Sequence, residues 1–156
     1  APVVAAIRSE IVTRVETSLP STLFGRRSWK FTTPYPPSDN NLYMTIGKRR
    51  VLTGEGRAFK RTVAALALSA GVRETSGDFV IFIDVYRPTR AGDAQNRGKA
   101  LIDALKGIAF ADDVQMLNTV ISRHTDAENP RAEVELWAVD GGEIVDARPS
   151  REAVPA

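Results

Sequence analysis

The sequence predicts a small mixed α/β protein of the α+β kind. We expect a sheet of about four strands, an element order of β-α-β-α-β-β, and an extra amphipathic helix at the N-terminus. Residues 78–86 read DFVIFIDVY, an apolar run typical of a central, buried strand. Helical patterns at 54–70 and 94–106 flank that strand, and two more strand patterns follow. This order predicts two crossover helices and a terminal hairpin on one mixed sheet.

The N-terminal part of the chain predicts one helix and one short strand. Apolar residues recur at steps of three or four over residues 1–19, and Pro20 ends this amphipathic pattern. A linker follows up to residue 27, and a short strand is predicted over 29–33. Pro34, Pro36 and Pro37 stop this strand, and the polar SDNN of residues 38–41 indicates a loop.

Both later helices have predicted boundaries. Thr53 is a candidate cap for the helix of residues 54–70 and Gly71 its stop, while Gly107 ends the second helix. That second helix has a buried and an exposed face. Gly98, Leu101, Ile102, Leu105 and Ile108 share the first, and Gln95, Asn96, Lys99, Asp103 and Lys106 share the second. Strands near 114–123 and at 132–139 complete the predicted sheet.

Length and composition limit the classes of protein to which this chain can belong. The 156 residues fit one domain, divided into an N-terminal helix and linker (1–27), a core (28–139) and a tail (140–156). The hydrophobic and charged fractions, 43% and 26%, are those of a globular chain, and no apolar run is long enough to cross a bilayer. Cysteine is absent and His124 is the one histidine, so a metal would have to be held by oxygen atoms.

Charge is unevenly distributed along the chain. The segment 48–61 holds one acid, Glu55, and six basic residues: Lys48, Arg49, Arg50, Arg57, Lys60 and Arg61. A cluster of this kind suits a polyanionic partner, although a solvated helix face has the same composition. The sequence pattern leaves both interpretations open.

Acidic residues stand at both ends of the helix of residues 94–106. Asp93 precedes it, Asp112 and Asp113 follow it, and Lys99 lies on its exposed face. This arrangement can return acids from both ends of the helix to one site. Carboxylates gathered beside a cation are what Mg²⁺-assisted cleavage of a phosphodiester requires. The alternatives are structural: Asp93 as a helix cap, the aspartate pair as turn residues, and Lys99 as a solvated side chain.

Several motifs together resemble a known family. They are PYPPSDNNLY (34–43), TGEGRAFKRTV (53–63), DAQN (93–96), Lys99-Ala100, DAL (103–105) and DDVQ (112–115). In order and spacing they resemble the RusA family of Holliday junction resolvases, over roughly residues 29 to 139. The resemblance implies a homodimeric endonuclease that depends on Mg²⁺, with Mn²⁺ as a possible substitute, and cuts four-way junction DNA in recombination and repair. It also implies a cytoplasmic protein that joins the nucleoid when bound to DNA.

The resemblance also implies roles for individual residues. Asp93 and Asp113 match metal-binding aspartates, and Lys99 matches an active-site lysine. With the charge pattern, it suggests nucleic-acid contacts by a set of basic residues: Lys48, Arg49, Arg50, Arg57, Arg90 and Arg97.

Gln95 departs from the family pattern, which has an aspartate at this position. An amide oxygen can coordinate Mg²⁺ but brings no charge, so we expect weakened or lost cleavage. Asp84, Asp103 and Asp112 are candidates to compensate. The alternative function is a non-catalytic protein that binds DNA junctions with the same fold.

Overall fold

A computed structural model describes residues 3, 5–11, 27–138 and 144–145. The strands are β1 (Arg27–Pro34), β2 (Tyr43–Ile46), β3 (Arg49–Leu52), β4 (Glu74–Thr75), β5 (Phe79–Arg87), β6 (Met116–Thr125), β7 (Arg131–Ala138) and β8 (Ile144–Val145). The helices are α1 (residues 5–11), α2 (Asp39–Leu42), α3 (Gly54–Ser69) and α4 (Ala94–Leu105), with a 3₁₀ turn at Asp113–Gln115. None of the described helices is both long and apolar enough to cross a membrane.

Four strands form one mixed sheet in the order β1-β7-β5-β6. The predicted mixed α/β class is confirmed. Strand β6 runs parallel to β5, and β7 runs antiparallel to both β1 and β5. The predicted terminal hairpin is wrong, because β7 inserts between β1 and β5 instead of pairing with β6. The connection from β6 crosses the end of β5, where the Asp126 N–H donates to the Arg87 carbonyl at 2.8 Å.

Strand β5 is central, as predicted, because its apolar side chains need cover on both faces of the sheet. Eight of its nine residues are buried. Helices α3 and α4 cover one face, to which they contribute a shared set of buried side chains: Phe59, Val63, Ala67, Leu101, Leu105 and others. Burying a leucine of this kind stabilises the fold by roughly 1.5–3 kcal/mol. This core fixes the position of α4 on the sheet.

The predicted boundaries of α3 are confirmed. The Thr53 hydroxyl oxygen accepts the Gly56 N–H at 2.9 Å, and the helix ends just before Gly71, whose φ is +85°. A left-handed backbone of this kind favours glycine, and it turns the chain away from the helix.

The second face of the sheet carries polar side chains and is contacted by α1. Arg8 pairs there with Asp84, which is 6% exposed and also bonded to His124 Nε2 at 2.9 Å, and Ile11 packs against Val80 and Phe82. The predicted N-terminal helix is therefore present. Its remaining residues up to 19 and the predicted linker before residue 27 lie outside the described residues.

Two small elements were not predicted from the sequence. Strands β2 and β3 pair as an antiparallel hairpin with Gly47 and Lys48 at its turn, and α2 forms one helical turn inside the predicted loop. Strand β8 lies in the predicted tail and pairs with β4, so residues 144 and 145 belong to the folded body. The rest of that tail lies outside the described residues.

Candidate active site and nucleic-acid interface

Asp93 caps the N-terminus of α4. One carboxylate oxygen accepts the backbone N–H groups of Gln95 and Asn96, at 2.9 and 3.3 Å, and the other accepts Asn96 Nδ2 at 2.7 Å. These bonds satisfy donors that the first helical turn leaves unpaired. The structural interpretation of Asp93 as a cap therefore holds, and its carboxylate is held in a fixed orientation.

A pocket of about 300 Å³ opens beside this cap. Its lining consists of Gly92, Asp93, Ala94, Gln95, Ile121 and Arg123. Gly92 has a φ of +106°, a conformation that favours glycine and lets the loop after β5 turn into α4. Asp93, Gln95 and Arg123 are exposed, so they are open to a ligand. The pocket brings one acid, one amide and one guanidinium together at the carboxyl end of β5.

Lys99 continues the exposed face of α4, as predicted, whereas Asp103 is half-buried. Lys99 lies one helical turn after Gln95, and Asp103 one turn after Lys99. Burial raises the pKa of the Asp103 carboxyl, the Lys99 ammonium lowers it, and the Asp113 carboxylate raises it. Asp103 is thus a partly buried acid among both kinds of charge.

Asp113 lies near the other end of α4. Its carboxylate is 3.7 Å from Nζ of Lys106, the residue that directly follows α4. Asp112 caps the 3₁₀ turn by accepting the Val114 N–H at 3.2 Å, and Gln115 Nε2 donates to the Thr75 and Gly77 carbonyls at 2.7 and 2.8 Å. The DDVQ motif therefore anchors this turn to the chain before β5, and Asp113 is its exposed acid.

The structure does not bring Asp93 and Asp113 together within one chain. Asp93 follows the carboxyl end of β5, whereas Asp113 precedes Met116, the first residue of β6, which pairs with Phe79 at the opposite end of β5. The 12 residues of α4 separate the two acids by roughly 18 Å of helix. The predicted convergence of the acids is wrong for a single chain. In a parallel β-α-β crossover, the loop before the helix and the loop after it lie at opposite ends of the strands.

None of the other candidate acids lines the pocket, and Asp103 lies two helical turns along α4 from Gln95. Asp84 lies on the opposite face of the sheet, paired with Arg8 and His124, and Asp112 is committed to capping. Across residues 5–11 and 27–138, no group of three or more His, Asp or Glu side chains is arranged to hold a metal ion. One chain therefore offers Asp93 and Gln95 as neighbouring oxygen donors at the pocket.

Some of the predicted basic residues are held by contacts within the chain, and others are free of ion pairs with described residues. Arg50 pairs with Asp39 at 2.5 Å and stacks on Tyr43, with its guanidinium 4.1 Å from the ring centroid. Arg57 donates to the Leu52 carbonyl at 2.8 Å. Lys48 and Arg49 are exposed at the tip of the β2–β3 hairpin and make no side-chain ion pair with any described residue. These last two charges are the most available to an anion.

Arg97 and Arg90 flank the loop that leads into α4. Arg97 stacks on Tyr35, 4.6 Å from the ring centroid, and donates to the Pro36 carbonyl, so it ties the PYPP segment to the helix. Arg90 is exposed. Its carbonyl accepts from Arg87, which is buried and also donates to the Gly92 and His124 carbonyls at 3.1 and 3.3 Å. Arg97 is therefore partly structural, while Arg90 stays available.

Sequence reasoning gave no site role to Arg123, which lines this pocket, or to Arg87, which supports the loop beside it. Arg87 supports the loop before Asp93, and its place at the end of an apolar strand was the available signal. Arg123 lines the pocket beside Asp93 and Gln95. No motif singles out Arg123, because it is 30 residues from Asp93 and reaches the pocket only through the parallel pairing of β5 with β6.

The chain is thus a small mixed α/β domain whose pocket lies at the carboxyl end of a parallel strand, the usual position of ligand sites in open α/β sheets. The family model described as Endodeoxyribonuclease RusA matches residues 34–137, and the chain belongs to this family. Membership implies endodeoxyribonuclease chemistry and Holliday junction resolution, and nucleases of this family depend on a divalent metal. No curated protein matches the chain.

Proposed function

We propose that this chain is the subunit of a homodimeric, Mg²⁺-dependent endonuclease that cuts four-way DNA junctions. The pocket at the start of α4 carries this proposal. It joins Asp93 and Gln95, which occupy the acidic positions of the family motif, to an exposed arginine, in a chain that matches the family over residues 34–137. A carboxylate pocket with a cationic wall suits both a divalent cation and a phosphodiester.

The donor set of one chain is too small for the proposed metal site. Asp93 supplies one negative charge and Gln95 supplies a neutral oxygen, whereas Mg²⁺ in phosphate chemistry is commonly held by one or two carboxylates with waters. Asp113 is the second family acid, and it lies at the far end of α4. We infer that the second carboxylate comes from another subunit.

We propose a two-fold axis beside β6, which would supply such a geometry. Strand β6 ends the sheet, with β5 as its one partner among the described strands, and Leu117 and Val114 beside that edge are 51% and 83% exposed. Antiparallel pairing of two β6 strands reverses the direction of α4 in the second subunit. It would bring the partner's Asp113 to the end of α4 that carries Asp93, and would cover an edge that is otherwise open.

Each residue then has a defined role. Asp93, Gln95 and the partner's Asp113 would hold the cation. When bound, Mg²⁺ would supply an activated water nucleophile and charge stabilisation for the leaving 3′ oxygen. Lys99, one turn along α4, neutralises charge that develops on the scissile phosphate, and Lys48 and Arg49 contact phosphates of the junction arms.

Gln95 favours a second candidate function, that of a non-catalytic junction-binding protein. The basic residues of the hairpin and of the α4 loop do not depend on Gln95, so binding can persist after cleavage is lost. Metal-dependent cutting separates the two functions.

The test is incubation with a synthetic four-way junction and with linear duplex, with and without Mg²⁺ or Mn²⁺, read for binding and for cleavage. We expect preferential binding of the junction, weak cleavage by the natural chain, and increased Mg²⁺-dependent cleavage by Gln95→Asp. A tenfold gain in rate corresponds to about 1.4 kcal/mol of transition-state stabilisation. Asp113→Asn in the Gln95→Asp chain is the matched control, which should abolish cleavage and retain binding. Failure to bind the junction would refute both functions.

A further inference from the structure

Arg123 projects toward the start of α4. Residues two apart on a strand share a face, so Arg123 lies on the same face of β6 as Ile121. Ile121 packs against Gly98 in the second turn of α4, where an added β-carbon would be 2.6 Å from Ile121 Cδ1. Two residues further along β6, Arg123 lies beyond the helix start and lines the pocket with Asp93 and Gln95.

The Arg123 guanidinium has no partner within the described part of the chain. It makes no side-chain hydrogen bond and no ion pair there, although the Asp93 carboxylate lines the same pocket. Arg87 and Arg97, by contrast, each donate to backbone carbonyls and hold the loop. Arg123 is also exposed, so its five N–H donors are open to a ligand.

The chemistry of the pocket indicates which ligand this is. A guanidinium presents paired donors that match two oxygens of a phosphate, and a cation beside acidic groups offsets their repulsion of a DNA strand. We propose that Arg123 binds a backbone phosphate of the DNA strand that enters this pocket. The assignment rests on the proposed function and adds a phosphate-binding residue to it.

The experiment measures junction binding without cleavage, in a buffer lacking divalent metal. Arg123→Ala should weaken binding roughly tenfold, because a charge-assisted contact is lost, and should reduce the salt slope by about 0.9. Arg123→Lys should keep the slope and recover part of the affinity, because it keeps the charge and loses the paired geometry. Lys30→Ala is the matched control: it also removes one exposed cation, from β1, the strand at the opposite edge of the sheet from β6.

Junctions with one methylphosphonate at successive positions near the crossover locate the contact. If Arg123 binds one phosphate, one position should weaken binding by the natural chain and have little further effect on Arg123→Ala. Equal, additive losses at every position would overturn the assignment, as would an Arg123→Ala chain that binds like Lys30→Ala. A natural chain that does not bind junctions would instead refute the proposed function, and this assignment with it. If Arg123→Ala fails to fold, Arg123→Gln, which keeps a polar side chain of similar reach and removes the charge, takes its place in the scan.

Discussion

Asp93 combines a structural and a proposed chemical role in one carboxylate. Its oxygens accept three hydrogen bonds from the first turn of α4. Asparagine and aspartate cap helices about equally well, whereas alanine costs typically about 1 kcal/mol. The two roles can therefore be separated by the choice of substitution.

We predict that Asp93→Asn leaves stability nearly unchanged and that Asp93→Ala lowers the free energy of unfolding by about 0.5–2 kcal/mol. Urea denaturation gives both values. In the Gln95→Asp chain, both substitutions should remove Mg²⁺-dependent cleavage, because both remove the charge. A fully active Asp93→Asn protein would show that Asp93 is a cap alone.

Asp103 provides a pH-dependent test of the exposed face of α4. Burial raises the pKa of its carboxyl above the ordinary 3.8, with Lys99 acting against the shift and Asp113 acting with it. The folded state therefore binds this proton more tightly than the unfolded state. The resulting stabilisation is present below the ordinary pKa, and it is lost as the pH rises through the raised value.

Asp103→Asn should accordingly be more stable than the natural chain near neutral pH, with an advantage that shrinks toward about pH 3. Urea unfolding at a series of pH values measures this difference. An advantage that is the same at every pH, or that grows on acidification, would contradict the assigned shift.

At the scale of elements, the contact of α4 with β6 positions the pocket. Gly98 lets the helix approach Ile121, because an added β-carbon would lie 2.6, 3.0 and 3.1 Å from three carbons of that side chain. Alanine normally favours a helix over glycine by about 1 kcal/mol. At position 98, steric crowding against Ile121 opposes this gain in helix propensity.

We predict that Gly98→Ala lowers the free energy of unfolding by about 1–3 kcal/mol, despite the better helix propensity. Ile121→Val removes the nearest carbon, so the double variant should be more stable than the sum of the two single effects predicts. Denaturation of the four proteins in this cycle measures the coupling. A stabilised Gly98→Ala protein would mean that the helix and strand are less closely packed than described.

At the scale of the whole molecule, the placement of the two family acids makes assembly testable. Asp93 and Asp113 lie at opposite ends of α4, so a shared site needs two subunits. Sedimentation equilibrium should therefore detect a species of twice the 17.0 kDa chain mass without DNA. A preparation that holds only the single-chain mass at micromolar concentration would count against the dimer.

Mixing inactive variants tests the shared site directly. Asp93→Asn and Asp113→Asn, each in the Gln95→Asp chain, should be inactive alone. A mixed dimer keeps one pocket with both acids and one with neither, so it should nick one strand of the junction without the paired cut. If both acids belonged to one chain, the mixture would stay inactive. This outcome distinguishes a shared site from a self-contained one.

Local pattern by itself determined helices α3 and α4, their N-terminal caps and the central strand. Thr53 and Asp93 cap α3 and α4, because capping depends on neighbours within a few residues. The predicted faces of α4 agree with the structure apart from Asp103 and Ile108, which are both half-buried. The β2–β3 hairpin was missed. Its side chains Met44 and Ile46 are exposed, so its apolar alternation does not mark a buried face.

Tertiary structure alone decided the strand order and the composition of the site. Pairing between distant strands inserts β7 between β1 and β5, and the parallel β5–β6 crossover separates Asp93 from Asp113 while bringing Arg123 to Asp93. The sequence contains these residues, but neither its hydrophobic periodicity nor the spacing of its motifs indicates which strands are neighbours in the sheet. That choice depends on burying β5 on both sides, a property of the whole sheet.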